Sequence, residues 1–122
     1  MSYNSCSVTK FITMQQEVIY EVSLKVNLAI YQKFVEWLDQ HVQDIVNLEG
    51  FIDACILHPV EESGNDDKLL TVQYHLDSKA SLDNYFENFA PKFRADGLEK
   101  FPSGFSASRS LWYIKKHVGK SR

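Results

Sequence analysis

Hydrophobic and polar residues alternate along two stretches of the chain, and a period of two residues predicts a β-strand that is buried on one side. In the first stretch, the apolar side carries Val18, Tyr20, Val22, Leu24 and Val26, and the opposite side carries Ile19, Glu21, Ser23 and Lys25. In the second stretch, the apolar side carries Leu70, Val72, Tyr74 and Leu76, and the opposite side carries Leu69, Thr71, Gln73 and His75. Two further apolar stretches, 51–60 and 105–114, are also predicted as strands.

A helical spacing separates the first two predicted strands. Apolar residues recur every three or four positions from Ile30 to Leu48, which predicts one face of a long helix. Asn27 is a candidate N-cap for this helix. Gly50 is placed to end it, because glycine adopts the left-handed backbone conformation without a side-chain clash.

A second helix is predicted to begin after Ser78, which is a candidate N-cap. Its apolar face consists of Leu82, Tyr85, Phe86, Phe89 and Phe93. Pro91 should break or kink this helix, because the proline ring clashes with the carbonyl group four residues earlier. A short helical turn is expected between the break and Pro102.

The predicted order of elements is strand, helix, strand, strand, helix, strand, which is typical of a ferredoxin-like α+β sandwich. Such a fold has one antiparallel sheet of four strands in the order 4-1-3-2, with the two main helices on one face. The other face is open, and here it mixes apolar Ile19 and Leu69 with polar side chains. Because this mixture favours a protein partner over water, we expect a homodimer that pairs through the open sheet face.

Composition and charge narrow the classes of function. The chain has 122 residues, 44% of them hydrophobic, which is enough for one domain with its own core. We expect this domain at 17–116, after a flexible N-terminal extension at 1–16 and before a basic tail at 117–122. The formal net charge of -3, with acidic and basic residues interleaved, predicts no nucleic-acid partner.

The cellular location of the protein is predicted from its apolar stretches and its cysteines. No apolar stretch approaches the length of about 18 residues that marks a membrane-spanning helix, and the first residues lack the apolar centre of a secretion signal. We therefore expect no membrane partner. The two cysteines, Cys6 and Cys55, form neither a metal-ligand pair nor a disulfide framework, so a reducing cytoplasm is the expected location.

Four separated stretches resemble an uncharacterised bacterial family known as domain of unknown function 4286. They read IYEVSLKV, WLDQHVQDIVNLEGF, VQYHLDS and APKFRADGLEKFPSGFSASRSL. More distantly, the helix that ends before Gly50 and Phe51 is similar to the dimeric α+β-barrel superfamily, which includes small cofactor-free monooxygenases and isomerases. The resemblance implies a homodimer whose two sheets face each other. It implies no reaction, because the family has no assigned activity.

Trp37 and His41 lie one helical turn apart on one shoulder of the first predicted helix. In the preferred interpretation Trp37 packs at the sheet edge and His41 caps a backbone carbonyl, since such histidines are more often structural than catalytic. In the alternative, both residues line a cleft between the helix and the sheet, with His41 as a proton acceptor. A general base needs an orienting partner and a substrate proton within reach, and the sequence shows neither. A cavity beside the two residues would favour the alternative.

The open sheet face provides a second group of candidate ligand-binding residues, namely Glu21, Gln73, His75 and Arg109. With strand 4 beside strand 1, Glu21 and Arg109 are expected to form a cross-strand ion pair. The preferred interpretation is that these groups fix the register of a dimer, and the alternative is a ligand pocket at the interface. The last strand alternates well in either phase, so the side on which Arg109 lies stays open.

Three functions are compatible with these patterns. In order of preference they are a structural or interaction dimer without catalysis, a small-molecule binding protein, and a cofactor-free monooxygenase or isomerase. No catalytic residue is assigned. The sequence contains no Cys-x-x-Cys pair, no glycine-rich phosphate loop and no nucleophile elbow, so no metal and no cofactor are expected.

Overall fold

The computed structural model describes residues 16–62, 64 and 66–121, which form a sheet of four strands and three helices. The strands are β1 (Val18–Asn27), β2 (Phe51–Leu57), β3 (Asp67–Leu76) and β4 (Phe105–Tyr113). The helices are α1 (Tyr31–Val46), α2 (Lys79–Asn88) and α3 (Ala90–Lys100). None of these helices is both long enough and apolar enough to cross a membrane. The predicted N-terminal extension lies outside the described residues except for Gln16.

The four strands form one antiparallel sheet in the order β2-β3-β1-β4, which confirms the predicted order and the α+β class. The central strands β1 and β3 pair along their full length, from Val18 opposite Leu76 to Asn27 opposite Asp67. This register places the two apolar sides next to each other, as their alternation predicted. The helices cover that side, and Ile19, Glu21 and their neighbours face away from them.

The core lies between the sheet and the helices. From α1 it receives the buried residues Phe34, Leu38, Val42 and Ile45, which recur at the predicted helical spacing. From the central strands it receives Val18, Tyr20, Leu24, Val26, Leu70, Val72, Tyr74 and Leu76. Leu82 and Tyr85 of α2 complete the layer. Aromatic rings are frequent in the core. Phe34, for example, packs against Phe101 and Phe105 with centroid distances of 5.1 and 5.0 Å.

The ends of the first helix differ from the prediction. The N-cap of α1 is Ile30, and no side-chain hydrogen bond caps the helix. Asn27 is instead the last residue of β1, and its Oδ1 accepts a hydrogen bond of 2.9 Å from the backbone N–H of Ala29. The helix ends at Val46, earlier than the apolar pattern suggested, because the last apolar residue of that pattern belongs to the following turn.

Gly50 lies in that turn with a φ of +91°, the left-handed conformation that its position predicted. A Cβ atom there would lie only 2.4 Å from the side chain of Ser81, so the close approach of two segments also requires glycine. Ser78 caps α2 as predicted, because its side chain accepts a hydrogen bond from the backbone N–H of Ser81.

The predicted break at Pro91 is present. Helix α2 ends at Asn88, Phe89 joins the two helices, and Pro91 lies in the first turn of α3. The segment after the break is an 11-residue helix, longer than the short turn that was expected. Proline favours this outcome, because at the start of a helix its missing N–H has no intrahelical partner to lose and its φ angle already suits the helix.

The expected ion pair between Glu21 and Arg109 is wrong. In the register of β1 and β4, Glu21 lies opposite Ser110 and Arg109 lies opposite Val22. Arg109 is therefore on the helix-covered side of the sheet, and the open side of β4 carries Ser106, Ser108, Ser110 and Trp112. The error is one residue of phase, which moves every side chain of a strand to the other face.

Candidate ligand-binding cavity

A cavity of about 360 Å³ lies between the sheet, α1 and α3. Its lining residues are Phe34, Trp37, Leu38, His41 and Ile45 of α1, Tyr85 of α2, Phe93, Arg94, Gly97 and Leu98 of α3, and residues of β1, β3 and β4. The volume falls within the range of about 300 to 1,000 Å³ that is usual for small-molecule sites. The cleft that the alternative interpretation of Trp37 and His41 required is therefore present.

Small residues help to keep this space open. Ala107 of β4 and Gly97 of α3 both border the cavity, and neither has a side chain long enough to fill it. On α1 and α3 the lining residues recur at three and four positions, so each helix presents one face to the cavity. The break at Phe89 allows α3 to take its own direction, which contributes Phe93 and Arg94 to the wall.

Trp37 and His41 stack on each other, with ring centroids 4.3 Å apart and planes inclined by 24°. Trp37 also packs against Phe34 and Phe101 at centroid distances of 5.6 and 5.7 Å. The edge of the His41 ring meets Phe93 at 5.6 Å. Trp37 thus packs against the core, as in the first interpretation, and also lines the cavity, as in the second.

His41 is held in its neutral form at neutral pH. Burial lowers the pKa of His41 below the usual value, and the negative charges of Asp44 and Asp96 oppose that shift without reversing it. The described residues provide no hydrogen-bond partner for its ring nitrogens. The expected hydrogen bond from His41 to a backbone carbonyl is therefore not among the contacts of residues 16–62, 64 and 66–121. A neutral imidazole can accept a proton or a hydrogen bond from a bound molecule.

A tyrosine hydroxyl with two arginine neighbours forms the polar part of the cavity. Tyr20 is only 2% exposed, and its Oη accepts a hydrogen bond of 3.0 Å from Nε of Arg109. Nη2 of Arg94 approaches the same oxygen from α3 at 3.5 Å. The two guanidinium groups reach this point from different elements of the fold, so the folded chain brings together charges that lie far apart in the sequence.

Two further tyrosines surround this group. Tyr74 stacks on Tyr20 with a centroid distance of 5.5 Å, and Tyr85 is tilted against it at 6.0 Å. Burial raises the pKa of Tyr74 and of Tyr85, while the positive charge of Arg109 acts in the opposite direction on both. Both phenols therefore stay neutral at physiological pH and can donate hydrogen bonds.

The six residues predicted as ligand-binding lie in two separate places. Trp37, His41 and Arg109 line the cavity. Glu21, Gln73 and His75 lie on the open sheet face, so the chain does not bring them to the cavity.

On the open face these polar residues pair within the chain. Nε2 of Gln73 donates to the carboxylate of Glu21 at 2.9 Å. His75 lies between two carboxylates, with Nε2 at 2.7 Å from Glu17 and Nδ1 at 3.6 Å from Asp53. Internal pairing reduces the penalty of burying such groups against a second protein surface.

Sequence reasoning missed Tyr20 and Arg94 as cavity residues. Tyr20 was assigned to the core, and only its hydroxyl, set in an otherwise aliphatic side of β1, could have indicated a polar role. Arg94 directly follows Phe93 of the predicted apolar face, and its distance from the sheet depends on the direction of α3, which no local pattern reveals.

The order of the strands and the helices on one face of the sheet define a ferredoxin-like α+β protein. Within this class the chain belongs to the family described as Domain of unknown function (DUF4286), whose match covers residues 17–115. No curated protein matches the chain in sequence.

Solved structures with the same fold include proteins of different activities. A dimeric ferredoxin-like protein from an uncultured marine organism has a TM-score of 0.68 at 9% identity, covering 85% of this chain and 100% of its own. A mutant form of SnoaB, a cofactor-independent oxygenase from Streptomyces nogalater, has a TM-score of 0.64 at 12% identity, covering 85% of this chain and 98% of its own. The heme-degrader MhuD from Mycobacterium tuberculosis has a TM-score of 0.62 at 16% identity, covering 84% and 99%. At these identities the likeness establishes the fold alone.

Proposed function

We propose that this protein is a homodimer that binds a small aromatic molecule in the cavity of each protomer. The observation that carries the proposal is the cavity itself: about 360 Å³ lined by aromatic rings, with polar groups gathered around Tyr20. Binding sites for small molecules usually have such walls, mostly apolar with a few placed polar groups. A purely structural dimer has no need of this space, since an unfilled apolar cavity lowers stability.

The dimer part of the proposal is supported by the open sheet face. Leu57 and Leu69 are 42% and 44% exposed there, and Trp112 is 56% exposed. A two-fold axis would bury this surface against itself, with Glu21, Gln73 and His75 already paired within the chain. A stable homodimer of this type should bury on the order of 2,000 Å² or more in total. One of the structural relatives is itself described as dimeric.

A cavity-filling substitution tests the binding role. Ala107→Leu places a larger side chain in the cavity, and Ala95→Leu makes the same change on the exposed side of α3 as a matched control. The probes are two-ring aromatic compounds, some neutral and some acidic: quinoline, 2-acetylnaphthalene, 2-naphthamide and 2-naphthoate. A compound that binds only the folded state must raise the melting temperature.

We expect at least one probe to raise the melting temperature of the wild-type protein and of Ala95→Leu, and to have no effect on Ala107→Leu. Calorimetry with the same compound should give one site per chain. Binding that persists unchanged in Ala107→Leu would place the ligand elsewhere. No binding by any probe would contradict the proposal for flat aromatic ligands.

A second candidate function is isomerase-like chemistry without a cofactor, and His41 is the observation that favours it. Its neutral imidazole faces the cavity and can take a proton from a carbon beside a carbonyl group of a bound substrate. The electron pair of that C–H bond would move to the carbonyl oxygen, where Arg109 could stabilise the charge. Return of the proton to a different atom would complete the isomerisation.

Hydrogen exchange separates binding from catalysis. In D₂O the enzyme would exchange the methyl hydrogens of 2-acetylnaphthalene faster than buffer does, and His41→Phe would abolish the acceleration. Proton NMR measures the loss of the methyl signal. If 2-acetylnaphthalene binds and its exchange rate equals that in buffer, the protein is a binding protein for this compound and His41 is not acting as a base on it.

A further inference from the structure

The polar end of the cavity carries two positive charges at one point. Arg109 from β4 and Arg94 from α3 both lie within hydrogen-bond distance of the Tyr20 hydroxyl, at 3.0 and 3.5 Å. Each guanidinium group keeps further N–H donors beyond the one that contacts Tyr20. Two like charges that converge on a neutral oxygen repel each other, and a bound anion would relieve that repulsion.

The chain itself does not neutralise these charges within its described part. No carboxylate among residues 16–62, 64 and 66–121 forms a salt bridge with Arg94 or Arg109. Asp96 lies two residues from Arg94 but forms no salt bridge with it, and its negative charge acts to raise the pKa of His41. The neighbouring phenols of Tyr74 and Tyr85 are neutral and supply no negative charge.

The rest of the lining is suited to a flat ring system. Trp37, His41 and Phe93 line the same space, with Trp37 stacked on His41 and His41 in edge-to-face contact with Phe93. Aromatic rings favour offset-stacked or edge-to-face contact with another ring. The cavity therefore combines an apolar slot with a cationic end that has no acidic partner in the described chain.

We infer that the ligand of the cavity is an aromatic acid, whose rings lie against Trp37 and Phe93 and whose carboxylate is bound by Arg109 and Arg94. This inference rests on the binding role proposed above and adds the chemical class of the ligand. A carboxylate accepts two parallel hydrogen bonds from a guanidinium group, a geometry that lysine cannot reproduce. The hydroxyl of Tyr20 can donate to the same carboxylate while its oxygen accepts from Arg109.

A pair of compounds with the same shape tests the inference. At neutral pH 2-naphthoate carries a negative charge, and 2-naphthamide is neutral with the same rings. Isothermal titration of the full-length protein with each compound measures the preference for the charge. We expect the acid to bind at least about tenfold more tightly than the amide. This factor corresponds to the lower end of the free energy that a hydrogen bond to a charged group usually contributes.

Substitutions locate the preference. Arg109→Gln should lower the affinity for the acid by roughly tenfold or more and change the affinity for the amide by no more than about threefold. Arg109→Lys should retain part of the preference for the acid because it keeps the positive charge. Arg94→Gln is an independent variant on another element, and a smaller loss is expected from its longer contact. Lys100→Gln removes a positive charge from the end of the same helix outside the cavity lining, so it should leave both affinities unchanged.

The outcomes separate the two proposals. Equal affinity for acid and amide, or an equal loss of both in Arg109→Gln, would overturn the aromatic-acid inference and leave the binding role intact. If a neutral probe binds and 2-naphthoate does not, the aromatic-acid inference is overturned and the binding role again stays intact. If none of the four compounds binds, both proposals fall for ligands of this size.

Discussion

The two faces of the sheet are formed by the same strands but differ in how their polar side chains are paired. On the helix-covered face, Tyr20 and Val72 are almost completely buried, and one part of the layer opens into a cavity. On the open face, polar side chains of the same strands pair with each other across the sheet, as Gln73 does with Glu21 at 2.9 Å. The covered face keeps its arginines without an acidic partner in the described chain, whereas Glu21 and His75 of the open face are paired with neighbouring side chains.

Each face is therefore suited to a different kind of partner. Polar groups that are already paired can be covered by a flat protein surface at little further cost, provided that the surface is large. Polar groups without a charged partner, at the end of a narrow apolar space, favour a small molecule that carries the complementary charge. Each face also carries one of the two tryptophans of the chain, Trp37 and Trp112. Substitutions at these residues can therefore test the contrast.

The largest effect is expected from Trp37→Ala. Removal of the indole takes away its packing against Phe34 and Phe101, and the partial burial of Trp37 indicates a loss of about 3 kcal/mol, the lower end of the range for large aromatic residues. Chemical denaturation at neutral pH measures the free energy of unfolding. His41→Ala should be mild by comparison. A Trp37→Ala protein as stable as the wild type would show that the indole is not part of the core.

The next effect concerns the other tryptophan and the proposed dimer. Light scattering coupled to gel filtration should report twice the 14.1 kDa chain mass for the wild-type protein. Trp112→Ala should raise the dissociation constant by about tenfold or more, because tryptophan is among the residues that most often dominate binding at interfaces. Leu111→Ala is the control, since Leu111 is the adjacent residue, 48% exposed, on the opposite side of β4. A wild-type monomer at every concentration would refute pairing through the open face.

A smaller effect is expected from pH, and it should be specific to the covered face. Because burial lowers the pKa of His41 in the folded protein, the unfolded chain, with a pKa of about 6.5, binds a proton more readily. The stability of the wild type should therefore fall as the pH drops below about 6.5. Melting curves of His41→Phe should lack this component, whereas those of His117→Phe, a control in the exposed C-terminal segment, should keep it. An identical pH dependence in all three proteins would contradict the desolvation of His41.

The smallest effect should come from the beginning of the chain. We predict that removal of residues 1–13 changes the melting temperature by no more than about 2 °C, because the sheet and both of its faces are formed by residues after Glu17. Differential scanning calorimetry of the shortened chain measures the change. A loss of several degrees would mean that the removed segment covers one of the two faces, and the altered dimer mass or probe affinity would identify which one.

The fold could be predicted because the contrast between the two sides of β1 and β3 is strong. Aliphatic and aromatic residues occupy one side of each strand, and charged or amide residues interrupt the other, so only one phase is compatible with a covered core. In β4 the contrast is weak. Ser106, Ser108 and Ser110 alternate with Ala107 and Arg109, and neither side is clearly apolar, which is why the sequence left the side of Arg109 open and the expected pair with Glu21 was wrong.

The site could be predicted only in part. Trp37 and His41 were identified as candidates because helical spacing shows which residues share a face. A cavity, in contrast, depends on distances between elements that are remote in sequence, here α1, α3 and β4. The contact of both Arg94 and Arg109 with Tyr20 has the same origin, since Tyr20 and Arg109 are 89 positions apart in the sequence. No local pattern contains that information.

Gly97 has a consequence for the kind of ligand that the cavity can select. A Cβ atom on Gly97 would come within 3.1 Å of Cη2 of Trp37, so the indole lies directly against the backbone of α3. A ring held by main-chain atoms cannot turn aside as it could against a flexible side chain. One wall of the cavity is thus preorganised, and binding need not order it first. Such a wall should discriminate by shape, with rigid planar molecules preferred over flexible chains of equal apolar area.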